Sequence, residues 1–462
     1  MKSGRAVGLL ALLAIGAVAR GELVYFTRGG QAQLPAVVEG DSVRLDTPMG
    51  PQTFPLRDFL AILPDPDSGV EASGSPVNPT THGTPESRFA SFWRSLEDGQ
   101  TSKAITILQE DRNDGSSHGP TRRALAALDQ LALPCPDPDL KPLQARLRAL
   151  RFRELRGDHV LLLHQGADAE ARERLDLLEQ VVSTFYLSLA AQGIELDPLR
   201  ERIVSLWFHD RVDYRAFLTR SEAEPFLETQ GYYHPILRLV VAYDTRSSQA
   251  QRSGRRAIAN RRKEGESESE LARQELLLDL EWRATDLGIA AHETIHQLAV
   301  SGGLTPRLDD FPNWLHEGFA AQFEVVRGGR WAGVGRVHDL RLPDWRTIRP
   351  RPRLAPLLHD VGMTSGYRRD GYAESWALVF FLRKTRPDQF RVFLDLLRSP
   401  SPGTSVRPDR AIDAFRAAFG PDLVEMERAW REYLDGLETP LEMKRPGANT
   451  TESRLARPVA GH

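Results

Sequence analysis

From Phe89 onward, apolar residues recur at three- and four-residue spacing. Phe89, Phe92, Trp93 and Leu96 do so first, then Ala104, Ile105 and Leu108, then Ala124, Leu125, Ala127 and Leu128. That is the period of amphipathic helices packed as hairpins, and it predicts a helical region over 88–151. Nearer the N-terminus the period is two. Val43, Leu45 and Thr47 alternate with polar neighbours between turn signals at Glu39-Gly40-Asp41 and Pro48-Met49-Gly50-Pro51, which predicts a small β module over 22–63. Residues 64–87, rich in Pro, Gly, Ser and Thr, cannot bury a core and read as a linker, with His82 a solvated loop residue. A third region, 152–440, carries predicted strands at 159–163, 203–208 and 237–243 and a predicted helix at 167–190. Its run RSGRRAIANRRK, followed by EGESESE, reads as a solvated surface segment, or else as a lid over a cleft. Helices dominate after it, and 441–462 reads as a disordered tail.

The first residues add a destination. Lys2 and Arg5 precede an apolar run over 6–19 that ends in Ala17-Val18-Ala19 and Ala19-Arg20-Gly21, small-x-small patterns that suit a signal peptidase. Residues 1–21 are therefore expected to be a signal peptide and the mature chain periplasmic or extracellular, with an uncleaved anchor as the lesser alternative. No later segment is apolar enough for a membrane helix. A net charge of -3 over 462 residues gives no reason to expect nucleic acid or an anionic surface as partner. The single cysteine, Cys135, lies between Pro134 and Pro136; it excludes an intrachain disulfide and reads as a small apolar filler.

The chemistry is concentrated in two short stretches. In Ala291-His292-Glu293-Thr294-Ile295-His296 the histidines are four apart, so on a helix they share a face and can offer imidazole nitrogens to one metal ion. Glu293 is not spaced as a ligand but is placed as a general base toward water. With 12 His in 462 residues, such a match arises by chance roughly 0.02 times per chain, which makes a second element necessary. Pro312-Asn313-Trp314-Leu315-His316-Glu317-Gly318-Phe319-Ala320 supplies it: Leu315, Phe319 and Phe323 form the apolar face of a second helix, leaving Glu317 free as a third ligand. Two His and one Glu leave a position open, the arrangement of a catalytic zinc site; the same set can hold iron(II), but the adjoining Glu293 favours zinc and hydrolysis.

His-Glu-x-x-His followed by Trp-Leu-x-Glu-Gly-Phe-Ala resembles the signature of the gluzincins, among them thermolysin and the membrane alanyl aminopeptidases, and the wider peptidase MA-like group with its uncharacterised bacterial branches. The resemblance covers about 285–385. It implies an α+β fold with a zincin-like catalytic domain, a small mixed sheet above the metal helix and a helical subdomain below, preceded here by the β module and the helical region. It implies one zinc ion per chain on His292, His296 and Glu317, and a tyrosine that stabilises the oxyanion. Tyr372, opening Tyr-Ala-Glu-Ser-Trp-Ala, matches that tyrosine, although Glu374-Ser375 replaces the usual Lys-Gly; Tyr367 is the reserve. The Gly-x-Met-Glu-Asn strand by which aminopeptidases bind a free amine is absent, so that narrower activity is not implied. An edge strand near 237–243 remains a candidate peptide dock.

His316 reads as a cleft-lining residue, and His234, His338 and His359 as structural or solvated. Asp309-Asp310 are candidate orienting carboxylates and Arg368-Arg369 a candidate anion contact. The expected function is an exported zinc metallopeptidase acting on peptide or protein substrates, with a protein partner for the β module or helical region as a further expectation. The alternative is an inactive peptidase-like envelope protein serving as a binding scaffold.

Overall fold

The computed structural model describes residues 21–27, 30–63, 84–115, 118–147, 150–305, 311–360, 369–398 and 408–439. Residues 1–20 of the expected signal peptide, most of the expected linker with His82, Asp309, Asp310, Tyr367, Arg368 and residues 440–462 lie outside them. The chain is α+β and divides into two compact units, residues 1–74 with 445–462, and residues 75–444. No helix among the described residues is long and apolar enough to cross a membrane.

The first unit contains β1 (Glu22–Phe26), β2 (Gln31–Leu34), β3 (Ala36–Glu39), β4 (Ser42–Thr47), β5 (Gly50–Pro55) and β6 (Phe59–Leu63). They form two three-stranded antiparallel sheets, β2-β1-β6 and β3-β4-β5. Val43, Leu45 and Thr47 are buried along β4, as the alternation predicts, and Phe26, Phe54 and Phe59 pack together in the core.

The second unit opens with α1 (Pro85–Glu97), α2 (Thr101–Asn113), α3 (Gly119–Leu131) and α4 (Lys141–Leu147). The expected linker thus ends earlier than 87. The Thr84 hydroxyl caps α1 by accepting from the Ser87 N–H, and Pro85 takes the first helical position, where a missing N–H costs nothing. The helical region does not stand apart from the rest of the unit: Phe92, Leu96, Leu108 and Ala124 lie in one buried core with Phe185, Leu298 and Trp376.

β7 (Arg153–Arg156), β8 (Val160–His164), α5 (Asp168–Ala191), β9 (Ile203–Phe208), α6 (Arg211–Arg220), β10 (Gly231–His234) and β11 (Leu239–Tyr243) come next along the chain. The sheet order is β10-β11-β9-β8-β7, parallel at β8/β9 and β9/β11 and antiparallel at both edges. Successive side chains take opposite faces. Val160, Leu162, Ile203, Trp207 and Ala242 join the core formed with α5, whereas Leu161, Leu163, Val204, Leu206 and Val241 pack against Tyr214, Phe217 and Leu218 of α6. The edge strand expected near 237–243 is corrected: β11 is interior, and the edge is the four-residue β10.

The charged run is solvated along most of its length, as expected, but it is helical rather than disordered. It is the end of α7 (Gln249–Lys263) and the start of α8 (Glu268–Ser301), the 34-residue helix of His292 and His296, expected to begin only near 281. Arg261, Arg262 and Lys263 lie in the last turn of α7 and Glu268 and Glu270 in the first turn of α8, each sign at the helix end whose dipole favours it. Ser267 caps α8 on the Glu270 N–H. Arg255–Asp279 (2.7 Å) and Arg262–Glu275 (3.0 Å) then hold the two helices side by side. Glu275 is roughly 25 Å along the axis from His292 at 1.5 Å per residue, so this hairpin braces the far half of the helix.

α9 (Asn313–Ala320), β12 (Val326–Arg327), β13 (Arg330–Trp331), α10 (Arg341–Thr347), α11 (Leu354–Leu358), α12 (Arg369–Thr385), α13 (Pro387–Arg398), α14 (Pro408–Phe419) and α15 (Leu423–Asp435) complete the unit. Trp314, Trp345, Trp376 and Trp430 are fully buried among them.

Candidate metal centre

The apolar face of α8 (Leu287, Ala290, Ala291, Ile295, Leu298) is buried in the core, which fixes the rotation of the helix and leaves His292 and His296 turned toward α9. α9 brings Glu317 to them. Its N-terminus is capped from a distant segment: the Asp360 carboxylate accepts from the N–H groups of Asn313 (2.8 Å) and Trp314 (2.9 Å). Gly318 sets how closely α9 approaches α12, since a Cβ there would lie 2.3 Å from the Ser375 carbonyl oxygen.

The three expected ligands converge. His292 Nε2 lies 3.0 Å from Glu317 Oε2 and 3.2 Å from His296 Nε2, and His296 Nε2 lies 3.7 Å from Glu317 Oε2. Among the described residues this is the one group of three or more His, Cys, Asp or Glu whose ligand atoms meet in this way. His292 and Glu317 are buried or nearly so. Burial alone would raise the Glu317 carboxyl, but the His296 and His292 imidazoles beside it hold it well below the usual range.

Glu293, beside these ligands, also reaches the sheet. Its Oε2 accepts from the Tyr233 N–H of β10 at 2.9 Å. Burial raises its carboxyl above the ordinary value, against the opposing pull of His292, His296 and that N–H. Close packing of helix and strand depends on Gly231, where a Cβ would stand 2.4 Å from Ile289 Cγ2 and 3.2 Å from Glu293 Cγ.

A part of the site was not foreseen. Glu324, on the turn after α9, accepts from His292 Nδ1 (2.9 Å), His338 Nε2 (2.7 Å) and Arg341 Nε (2.9 Å). Burial would raise this carboxyl, but Arg341 and the two imidazoles hold it well below the usual range, so it is an anion that orients His292. His338, expected to be structural or solvated, belongs to this network. The only sequence signal for Glu324 was an acidic residue seven places beyond Glu317 amid apolar neighbours.

Tyr372 lies in the first turn of α12, its ring centroid 6.4 Å from that of His292 and its face 5.0 Å from the Arg341 guanidinium carbon. His316 is beside the site, 6.3 Å from His296 ring to ring, but outside the ligand set. His234 is buried, within 3.4 Å of the Ser221 carbonyl, and His359 is exposed. Cys135 is buried.

Residues 286–402 match the model of a family described as a protein of unknown function (DUF1570). That span contains the three converging ligands, Glu293, Glu324, His338, Arg341 and Tyr372. No curated protein matches the chain.

Proposed function

We propose that this chain is an exported zinc metallopeptidase of gluzincin-like type, holding one zinc ion per chain on His292, His296 and Glu317. The observation that carries this reading is the triangle of donor atoms with sides of 3.0, 3.2 and 3.7 Å. Tetrahedral zinc with bonds near 2.05 Å spaces its ligand atoms roughly 3.3 Å apart. Two imidazole nitrogens and a carboxylate oxygen at this spacing suit a divalent cation. Such an ion would supply Lewis acidity toward water and the scissile carbonyl.

The protein's own groups support the rest. Glu293 is held by the Tyr233 N–H and takes the proton of the attacking water, then passes it to the leaving amine. The Tyr372 hydroxyl donates to the oxyanion. The edge strand β10, whose Tyr233 N–H holds Glu293, suits an extended peptide or protein segment that adds to the sheet beside the base.

Elemental analysis of the purified protein beside His296→Ala tests this, together with a mixed peptide library. About one zinc per chain, lost in the variant, and peptide cleavage by the wild type are expected. A wild type that takes up no metal on reconstitution sinks the proposal.

A further inference from the structure

We infer that the corner between α1 and α2 is a brace of the metal centre, with Asp98 and Arg336 as positioning residues for His292. The inference rests on the metal-centre reading and assigns a role to the helical region, which the sequence left open. Glu324 orients His292, and Glu324 is itself held by His338 and Arg341. Those residues lie at the far end of a loop whose regular structure is two paired strands of two residues each, β12 and β13. Internal ties close the loop in part: Arg327 Nε to Asp339 (2.9 Å) and the Gly335 N–H to the Gln322 carbonyl (2.8 Å).

The remainder comes from the α1–α2 corner. The Leu96 carbonyl accepts from the Val334 N–H at 3.2 Å, and the Glu97 carbonyl accepts from Arg336 Nε at 2.8 Å. Arg336 also pairs with Asp98. The backbones touch: a Cβ on Gly333 (φ +79) would lie 2.1 Å from the Leu96 oxygen, and one on Gly99 (φ +67) 2.6 Å from the Trp331 oxygen. Only residues without a Cβ allow this approach, and both are in the left-handed region glycine favours. The Glu97 side chain is fixed in turn by Trp93 Nε1 (3.0 Å) and Lys384. With side chains 17% and 7% exposed, the Arg336–Asp98 pair is shielded from solvent, so removing one partner strands the other. Arg336 is two residues from His338. Freed from the corner, His338 and Arg341 drift from Glu324, and the carboxylate loses its hold on His292 Nδ1.

The test is zinc affinity by chelator competition on the full chain. Asp98→Asn weakens binding about tenfold, in the range for loss of a partner that orients a ligand. Glu324→Gln weakens it as well, and adding Asp98→Asn to Glu324→Gln costs little more, because both act through one chain of contacts. Asp435→Asn, which breaks the Arg351–Asp435 pair (2.7 Å), is the control and leaves affinity unchanged. If Asp98→Asn does not fold, Arg336→Lys, which keeps the charge and loses the bond to Glu97, is read in its place. Wild-type affinity in both Asp98→Asn and Arg336→Lys, or full additivity with Glu324→Gln, overturns the brace alone. A wild type without zinc overturns the metal-centre reading itself.

Discussion

The Glu293 carboxylate accepts a 2.9 Å hydrogen bond from the Tyr233 backbone N–H, so α8 and the edge of the sheet meet at the proposed base. This bond fixes one carboxylate oxygen of Glu293, the residue next to His292. Glu293→Gln preserves the acceptor toward Tyr233 and removes the proton acceptor. Turnover should fall about 10²–10⁴-fold with zinc content unchanged. Full activity in this variant would remove Glu293 from the mechanism.

Tyr372 tests the proposed contact to the oxyanion. Tyr372→Phe keeps the ring beside His292 and Arg341 and deletes only the hydroxyl. If that hydroxyl donates to the oxyanion, kcat drops about 10²-fold while KM, zinc content and Tm hold. An unchanged kcat would reduce Tyr372 to a packing residue.

Glu324 makes a prediction of a different kind. Glu324→Gln leaves every proposed ligand in place but replaces an anion shared by His292, His338 and Arg341 with a neutral amide. Zinc affinity should weaken about 10- to 100-fold, with fast metal loss to chelator. Affinity equal to wild type would mean that His292 needs no partner at Nδ1.

Away from the site, His159 joins two helices: Nδ1 lies 2.8 Å from Glu179 of α5, and Nε2 2.9 Å from the Leu131 carbonyl of α3. Burial would lower its pKa, but these two bonds outweigh burial and raise it. A raised folded-state pKa means the contribution is full below the unfolded value, about 6.5, and is lost as pH climbs through the folded one. Wild-type Tm should therefore fall more steeply than that of His159→Gln from about pH 6.5 upward. Parallel Tm–pH curves would contradict the assignment.

How far the sequence was legible depends on the range of each interaction. β8, β9 and α5 stand within a residue or so of expectation, because buried β-branched runs and helical periods are local signals. His292, His296 and Glu317 were legible for the same reason, two helical spacings with apolar faces. Glu324 was not: its role depends on His338 and Arg341, which approach only once the loop has folded. Nor was the Asp360 cap on α9, supplied from 46 residues away. The start of α8 was misread although its signal was present, Ser267 with Glu270 three residues on, because charge was weighed as solvation and not as helix-end chemistry. β10 escaped notice as a strand of four residues whose pairing to β11 and whose contact with Glu293 are both tertiary.

That last contact gives the sharpest separation of metal from base. A Cβ on Gly231 would lie 2.4 Å from Ile289 Cγ2 and 3.2 Å from Glu293 Cγ, so Gly231→Ala must push β10 off α8 or turn Ile289 aside. The displaced strand carries the Tyr233 N–H away from Glu293, while His292, His296 and Glu317 stay on α8 and α9. kcat/KM should fall about 10²-fold, the scale of a misplacement near 1 Å, with zinc retained and stability lowered by about 1–3 kcal/mol. Ile289→Ala, made in the Gly231→Ala background, opens room for the new methyl group and should return much of the activity. Zinc lost together with activity would show instead that the edge strand supports the ligands, and that the division between a metal-holding face and a base-holding face of α8 is wrong.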